Sequence, residues 1–279
     1  MSHYEDQYLD LMRRIWTEGA VQEDRTGVGT RSLFGATMRF SLADNAIPLL
    51  TTKRIFWKTA AREMLWFLTG DTNIRNLLKQ KVRIWTDWPL ERYRRETGDA
   101  ISQEDFEQRI VDDINFAEQW GDLGPVYGAQ WVNWPKYEDA GQGLYRRAEK
   151  GINQIELLVQ SLKTNPGSRR HIFEGWNVAE LDQMALPPCH KTYQFHVADG
   201  VLSGLLFQRS CDLGLGFPGR SAGQYPVRRP VCHRSDHRRR CANQCGRDQT
   251  HCDRRSENQL LRVTWHGRAP RGVHQRDAL

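Results

Sequence analysis

Two alternating runs, Thr192–Val197 and Val201–Arg209, flank Ala198-Asp199-Gly200, and no other pattern constrains the chain as tightly. Apolar and polar residues in alternation place every second side chain on one face of a strand. A short loop containing Asp-Gly supplies the positive φ values that a tight hairpin turn needs. The hairpin then fixes neighbours. Cys189 and His190 stand at the mouth of the first strand, while Arg209, Ser210, Cys211 and Asp212 stand at the exit of the second. Thiol, imidazole, guanidinium and carboxylate gathered at one end of a sheet are more than a core requires, and they predict an enzyme site.

The rest of the pattern is helical and strand-like in alternation. Tyr8, Leu11, Met12, Ile15 and Trp16 recur at helical spacing and Gly19 ends that helix. Glu23-Asp24-Arg25-Thr26-Gly27-Val28-Gly29-Thr30 reads as a loop whose arginine can face a ligand, and Ser32 to Phe40 reads as a strand. A second helix follows Pro48–Arg54, with Ala60, Met64, Phe67 and Leu68 on its apolar side and Gly70 closing it. The charged segment of about residues 89–120 reads as an excursion carrying a surface helix. Ser102 with Asp105 starts that helix, and Phe106, Ile110 and Ile114 continue it. A further helix through Ile152, Ile155, Leu158 and Leu162 stops at Asn165-Pro166-Gly167, since proline disfavours a helical residue before it. His171 to Gly175 reads as a strand. The fold class predicted is α/β.

Charge divides the chain at about residue 218. The first 218 residues hold 26 Lys+Arg against 29 Asp+Glu, whereas residues 219–279 hold 14 Arg, no Lys and 5 acids. The formal net charge of +6 is therefore a property of the tail, and nucleic-acid binding by the whole surface is not the reading favoured. The tail is poor in large aliphatic residues, and the sequence predicts no sustained helical or strand period from Gly219 to Leu279. Arginine without lysine predicts an out-of-frame translation, which the coding DNA would test. Cys232, Cys241, Cys245 and Cys252 are spaced without paired short knuckles, so no metal site is predicted. Nothing resembles a membrane span or a leader, and before residue 219 only Cys189 and Cys211 occur, which together predict a cytoplasmic protein.

Taken singly, the candidate residues leave alternatives open. Cys189 is either an inert buried cysteine or a nucleophile, and Cys211, between Ser210 and Asp212 on a strand, suits packing. Glu63 sits in an otherwise apolar helix, where a carboxylate is either on the outer face or buried with a raised pKa suited to proton transfer. Trp85 is either core or ligand-flanking.

Together they resemble one family. Asp24-Arg25-Thr26-Gly27, Thr52-Lys53-Arg54, Glu63–Leu68 with Gly70-Asp71-Thr72-Asn73, Ile84-Trp85, Gly124-Pro125-Val126-Tyr127-Gly128, Ser168-Arg169-Arg170, Pro187-Pro188-Cys189-His190 and Gln208–Asp212 resemble the thymidylate synthase family in its own order. The resemblance covers most of residues 1–218, leaving 219–279 as a non-matching tail. It implies a large mixed β-sheet with flanking helices, a sheet-to-sheet homodimer, and reductive methylation of dUMP to dTMP with 5,10-methylenetetrahydrofolate. By the same resemblance Cys189 adds to C6 of the pyrimidine, while Glu63, Tyr127 and His190 handle protons. Arg25 and Arg209 grip phosphate within the subunit, and Arg169 and Arg170 do so from the neighbour. Ser210, Cys211 and Asp212 line the substrate, with Asp212 and Trp85 also at the folate.

Departures lie in the tail. Arg220 stands where the family has an asparagine that reads the pyrimidine, and no deoxyribose-holding segment can be read beyond it. At about 25 cal/mol per Å², several hundred Å² of unburied core rivals a domain's net stability of roughly 5–15 kcal/mol. The sequence therefore predicts poor folding and little or no activity. Two alternatives stay open: a dUMP or dCMP hydroxymethylase, and an inactive relative whose basic tail binds nucleic acid nonspecifically.

Overall fold

The computed structural model describes residues 4–22, 30–43, 47–52 and 54–213, and the backbone of 256–268. Helix α1 (Tyr4–Glu18) buries Tyr8, Leu11 and Ile15 on the face the spacing predicts, and Gly19 N–H bonds back to Ile15 O at 3.0 Å. Strands β1 (Ala20–Gln22), β2 (Thr30–Ser32) and β3 (Ala36–Ser41) follow. The single strand expected from Ser32 to Phe40 is thus two, because the chain breaks at Gly35, whose φ of 81° leaves the strand region. In β3 Ala36, Met38 and Phe40 alternate inward.

Helix α2 (Trp57–Thr69) ends at Gly70, whose left-handed backbone lets its N–H reach Phe67 O. Its buried face is Glu63, Trp66 and Phe67. Leu68, expected on that side, is exposed. Short α3 (Arg75–Lys79) leads to α4 (Asp87–Thr97), α5 (Gln103–Asp112) and α6 (Ile114–Trp120). The start of α5 is as read, with Asp105 N–H bonded to Ser102 Oγ at 3.1 Å. The surface excursion is not. Tyr93, Phe106, Ile110, Phe116, Ala117 and Trp120 are core residues, and only Ile114 of the predicted apolar stripe faces solvent. Aromatic contacts explain this: Tyr93 meets Trp120 and Phe116 edge-on at centroid distances of 5.0 and 5.4 Å, and Phe106 at a tilt at 5.6 Å.

The chain continues through α7 (Tyr127–Val132), a separate hairpin of β4 (Tyr137–Gly141) and β5 (Leu144–Arg147), α8 (Gln154–Thr164), β6 (Ile172–Glu174) and a 3₁₀ turn (Val178–Gln183). Strands β7 (His190–Ala198) and β8 (Val201–Asp212) form the predicted hairpin. Asp199 and Gly200 both take positive φ, 51° and 72°, and Ala198 pairs with Val201 to close the two-residue loop.

The largest departure from expectation is β9 (Ser256–Arg268). It pairs antiparallel with β8 and parallel with β2 and β3. Among the described residues seven strands form one mixed sheet, in the order β1-β2-β9-β8-β7-β6 with β3 also on β9. A period-two signal was present, Leu261, Val263 and Trp265 alternating with Arg262, Thr264 and His266, but the surrounding arginine-rich composition concealed it.

Candidate active site

Cys189 precedes β7 at the point where two strands lose regular pairing. Between β7 and β8 the register shifts from His190↔Gln208 to Thr192↔Phe207, so β7 carries one extra residue there. Between β8 and β9 it shifts again from Gln208 to Cys211. Such bulges bend a strand and re-aim its side chains, and here both flank the candidate residues.

The thiol is bracketed from two sides. Cys189 N–H donates to Tyr127 Oη at 2.6 Å, and Cys189 O accepts from Arg209 N–H at 2.9 Å. The Arg209 guanidinium lies across the same loop, with Nε on Pro188 O at 3.0 Å and Nη2 on Pro187 O at 2.8 Å. The Trp176 ring centroid is 5.8 Å from its carbon. Cys189 is 8% exposed and unpaired as a disulfide. Burial pushes its thiol up from the ordinary value, while the Arg209 charge and the Tyr127 hydroxyl oppose that shift by favouring thiolate.

Glu63 is 1% exposed, and loss of hydration raises its carboxyl to about 8 despite a bond from Trp85 Nε1 to Oε1 at 2.7 Å. Its second oxygen, Oε2, has no hydrogen-bond partner among the described residues. Burial also lowers His190 to about 4, so the imidazole is neutral near pH 7, and its Nδ1 is likewise unpartnered among those residues. Tyr127, fully buried, is pushed well above its ordinary value by desolvation first and then by the neighbouring Cys189. Its ring lies 5.9 Å from that of His190 and 4.5 Å from that of Phe67 on α2, the helix that carries Glu63. Tyr127 and Arg209 therefore flank Cys189, with His190 next to it in the chain and Glu63 acting on Tyr127, and the orphaned Glu63 Oε2 and His190 Nδ1 are atoms that a polar ligand or water would satisfy.

Other sequence candidates are placed differently. Ser210 and Asp212 are half-buried on β8. Cys211 belongs to the second core cluster with Tyr8, Leu11, Ile15, Met38 and Phe40, which fits packing. Trp85 is 1% exposed, so it acts here on Glu63 and presents no open ring face; the half-buried Trp88, 5.1 Å away, is the aromatic surface left open beside it. Arg169 and Arg170 are exposed, and neither side chain bonds to a described residue. Arg25, Lys53 and Arg220 lie outside the described residues. A groove of about 820 Å³ between the β4–β5 hairpin and α8 holds Lys136, Arg146 and Lys150 but no nucleophile. Among the described residues no group of three His, Cys, Asp or Glu is placed to hold a metal, and no helix is long and apolar enough to cross a membrane.

Sequence reading passed over three buried polar residues behind the thiol. Gln130 Nε2 donates to Pro125 O and to Glu180 Oε2, both at 2.8 Å, and Asn177 Nδ2 donates to Gln130 Oε1 at 3.2 Å and Glu180 Oε2 at 3.1 Å. The signal available was Asn177 followed three residues later by Glu180, the spacing of a capping box.

Comparison with known proteins agrees with this geometry. The family model described as Thymidylate synthase matches residues 6–228. The curated thymidylate synthase of Sphingopyxis alaskensis is 76% identical over 216 residues, covering 77% of this chain and 70% of that protein. Those of Novosphingobium aromaticivorans and Rhizorhabdus wittichii are 69% and 67% identical over 216 residues, each with 77% of this chain covered and 69% and 70% of the relative. On the length matched and the identity across it, the chain belongs to the thymidylate synthase family.

Proposed function

We propose that the chain methylates dUMP to dTMP, with Cys189 as nucleophile. The observation that carries this reading is the bracketing of Cys189 between the Tyr127 hydroxyl and Arg209, which gives a buried thiol the two neighbours that favour its ionised form.

C5 of a uracil ring is a poor nucleophile until something adds to C6. Cys189 Sγ forms that bond, and the electron pair displaced moves onto C5 and the C4 carbonyl. Arg209, whose Nε and Nη2 are held by Pro188 O and Pro187 O, gives its charge and Nη1 to the nucleotide phosphate. Arg25 completes that grip within the subunit. Glu63, with a carboxyl near 8, exchanges protons through water around the base, and Tyr127 and neutral His190 share that traffic. When the Cys189–C6 bond breaks, the pair returns to sulfur. Bound 5,10-methylenetetrahydrofolate supplies the one-carbon unit and the hydride, leaving as dihydrofolate. The open face of Trp88 and the half-buried Asp212 fit a flat heteroaromatic group with donor nitrogens, while Trp85 holds Glu63 from behind.

We further propose a cytoplasmic homodimer formed sheet to sheet, in which exposed Arg169 and Arg170 reach the neighbour's phosphate site. Arg220, in place of a base-reading asparagine, holds turnover well below the roughly 1 to 10 per second of an ordinary enzyme.

Mass spectrometry of a covalent adduct with 5-fluoro-dUMP tests the central step. It is run on the full chain and on a chain whose residues 219–279 are replaced by the matching segment of the Sphingopyxis alaskensis relative. An adduct on Cys189, lost in Cys189→Ser, is expected. An adduct that survives that substitution sinks the proposal. Dihydrofolate as co-product separates methylation from hydroxymethylation, which would release tetrahydrofolate.

A further inference from the structure

We infer that Gln130, Asn177 and Glu180 are positioning residues that set the Tyr127–Cys189 pair, and that Arg147 on the outlying hairpin is their external tie. The inference rests on the reading of Cys189 as a reactive thiol.

Tyr127 opens α7, and Gln130 lies one turn on, beneath it. Through Nε2 it grips Pro125 O in the turn that leads into Tyr127. Asn177 caps, and Glu180 lies in, the 3₁₀ turn from which the chain runs directly through residues 184–188 to Cys189. Gln130 therefore joins the segment that carries the phenol to the segment that carries the thiol. The two segments also touch outside the cluster. Ala185 N–H bonds to Leu123 O at 2.8 Å, and Gly124, at φ 75°, lies so close to Gln183 O that a Cβ would stand 2.0 Å from it. The cluster clamps one end of this seam. The Cys189–Tyr127 hydrogen bond is the other end.

Its charge is balanced from outside. The Glu180 side chain is 7% exposed, and Arg147 Nη1 meets its Oε1 at 2.9 Å while remaining 53% exposed. A buried carboxylate that loses its one cation turns toward other donors, here the amides of Gln130 and Asn177, and pulls on the Pro125 turn. Every polar atom in the cluster otherwise has its partner, and Gln154 Nε2 adds bonds to Gln130 O and Glu174 O at 2.7 and 2.8 Å. A fully satisfied buried network holds one geometry, which is the property a positioning device needs.

The test is site-resolved iodoacetamide labelling of the full chain across pH, which needs no turnover and reads Cys189 and Cys211 separately. Gln130→Met keeps the side-chain volume and removes the donor, and Arg147→Ala changes an exposed side chain that leaves the core intact. Both are expected to slow Cys189 labelling by roughly fivefold and move its midpoint up by about half a pH unit. Cys211, in the other core cluster, should stay within about twofold, and Arg147→Lys should restore Cys189. Equal changes at Cys189 and Cys211 would mean general loosening and overturn the inference, as would no change at either. If Cys189 of the parent shows no pH-dependent labelling while Cys211 does, the reactive-thiol reading fails and takes this inference with it.

Discussion

The two core clusters of this protein are held together in different ways. The larger one, from Trp66 to Met184, is assembled from one stretch of chain rich in aromatic contacts, and it includes Tyr127 and packs on α2, the helix that carries Glu63. The smaller one joins Tyr8, Leu11 and Ile15 of α1 to Met38 and Phe40 of β3 and to Leu206, Cys211 and Leu213, so its parts lie at opposite ends of the sequence. Among the described residues only β9, from the tail, hydrogen-bonds to both β3 and β8. The site straddles them. Glu63 and Tyr127 rest on the part that closes locally, and Arg209, Ser210 and Asp212 ride on the strand whose far neighbour comes from the least family-like segment.

Deleting residues 256–279 should break the comparison most sharply. It leaves β3 and β8 with bare edges and removes the strand that joins them, leaving α1 tied to the hairpin through Tyr8 Oη on Leu213 O and side-chain packing, a loss on the scale of a domain's net stability of roughly 5–15 kcal/mol. Hydrogen exchange is expected to rise across β3 and α1 while amides of α5 and α7 stay protected. Uniform loss of protection would show that the two clusters are one cooperative unit. Next in size, Phe67→Ala should cost about 3–5 kcal/mol, since Phe67 is fully buried among Trp66, Trp85, Tyr127 and Trp131. Leu11→Ala should cost about 2–5 kcal/mol. Urea denaturation checks both. The sharper reading is that Phe67→Ala also slows Cys189 labelling, whereas Leu11→Ala leaves it unchanged.

The pH dependence is the most gradual effect, spread over several units. Glu63 is raised to about 8, so between its unfolded value near 4.5 and 8 the folded state holds a proton that the unfolded chain has released. Stability must fall as pH rises through that window, by on the order of 1.4 kcal/mol per unit, and Glu63→Gln should flatten the slope. His190 acts oppositely. With its pKa lowered to about 4, the folded imidazole stays neutral while the unfolded one takes up a proton below about 6.5, so stability falls as pH drops from 6.5 to 4. Melting temperatures from pH 4 to 8 check both signs.

What was legible in the sequence was local. The faces of α1 and α8, the Ser102 cap, the Gly70 stop and the Asp199-Gly200 turn each depend on residues within a few positions of one another, and they are as read except that Trp16 of the expected α1 face is exposed and Ile152 precedes α8. The family was legible because several rare residue types recur in fixed order, among them Cys189, Arg209, Glu63, Tyr127 and His190. The helices of residues 89–120 were misread because Arg92, Arg94, Arg95 and Glu96 surround Tyr93, and only contacts with distant rings show which side is covered. Gln130 and Glu180 are 50 residues apart, and nothing in either segment announces the bond between them.

The irregularity at the start of the hairpin has a consequence of parity. Lys191 is the supernumerary residue between the pairs His190↔Gln208 and Thr192↔Phe207, so the pleat upstream of it runs out of phase with the pleat downstream. Were the chain shortened by that one residue, His190 and Thr192 would become neighbours on opposite faces, as their partners Gln208 and Phe207 already are, so the face at the upstream end would be kept and only the local bend that aims the sulfur would be lost.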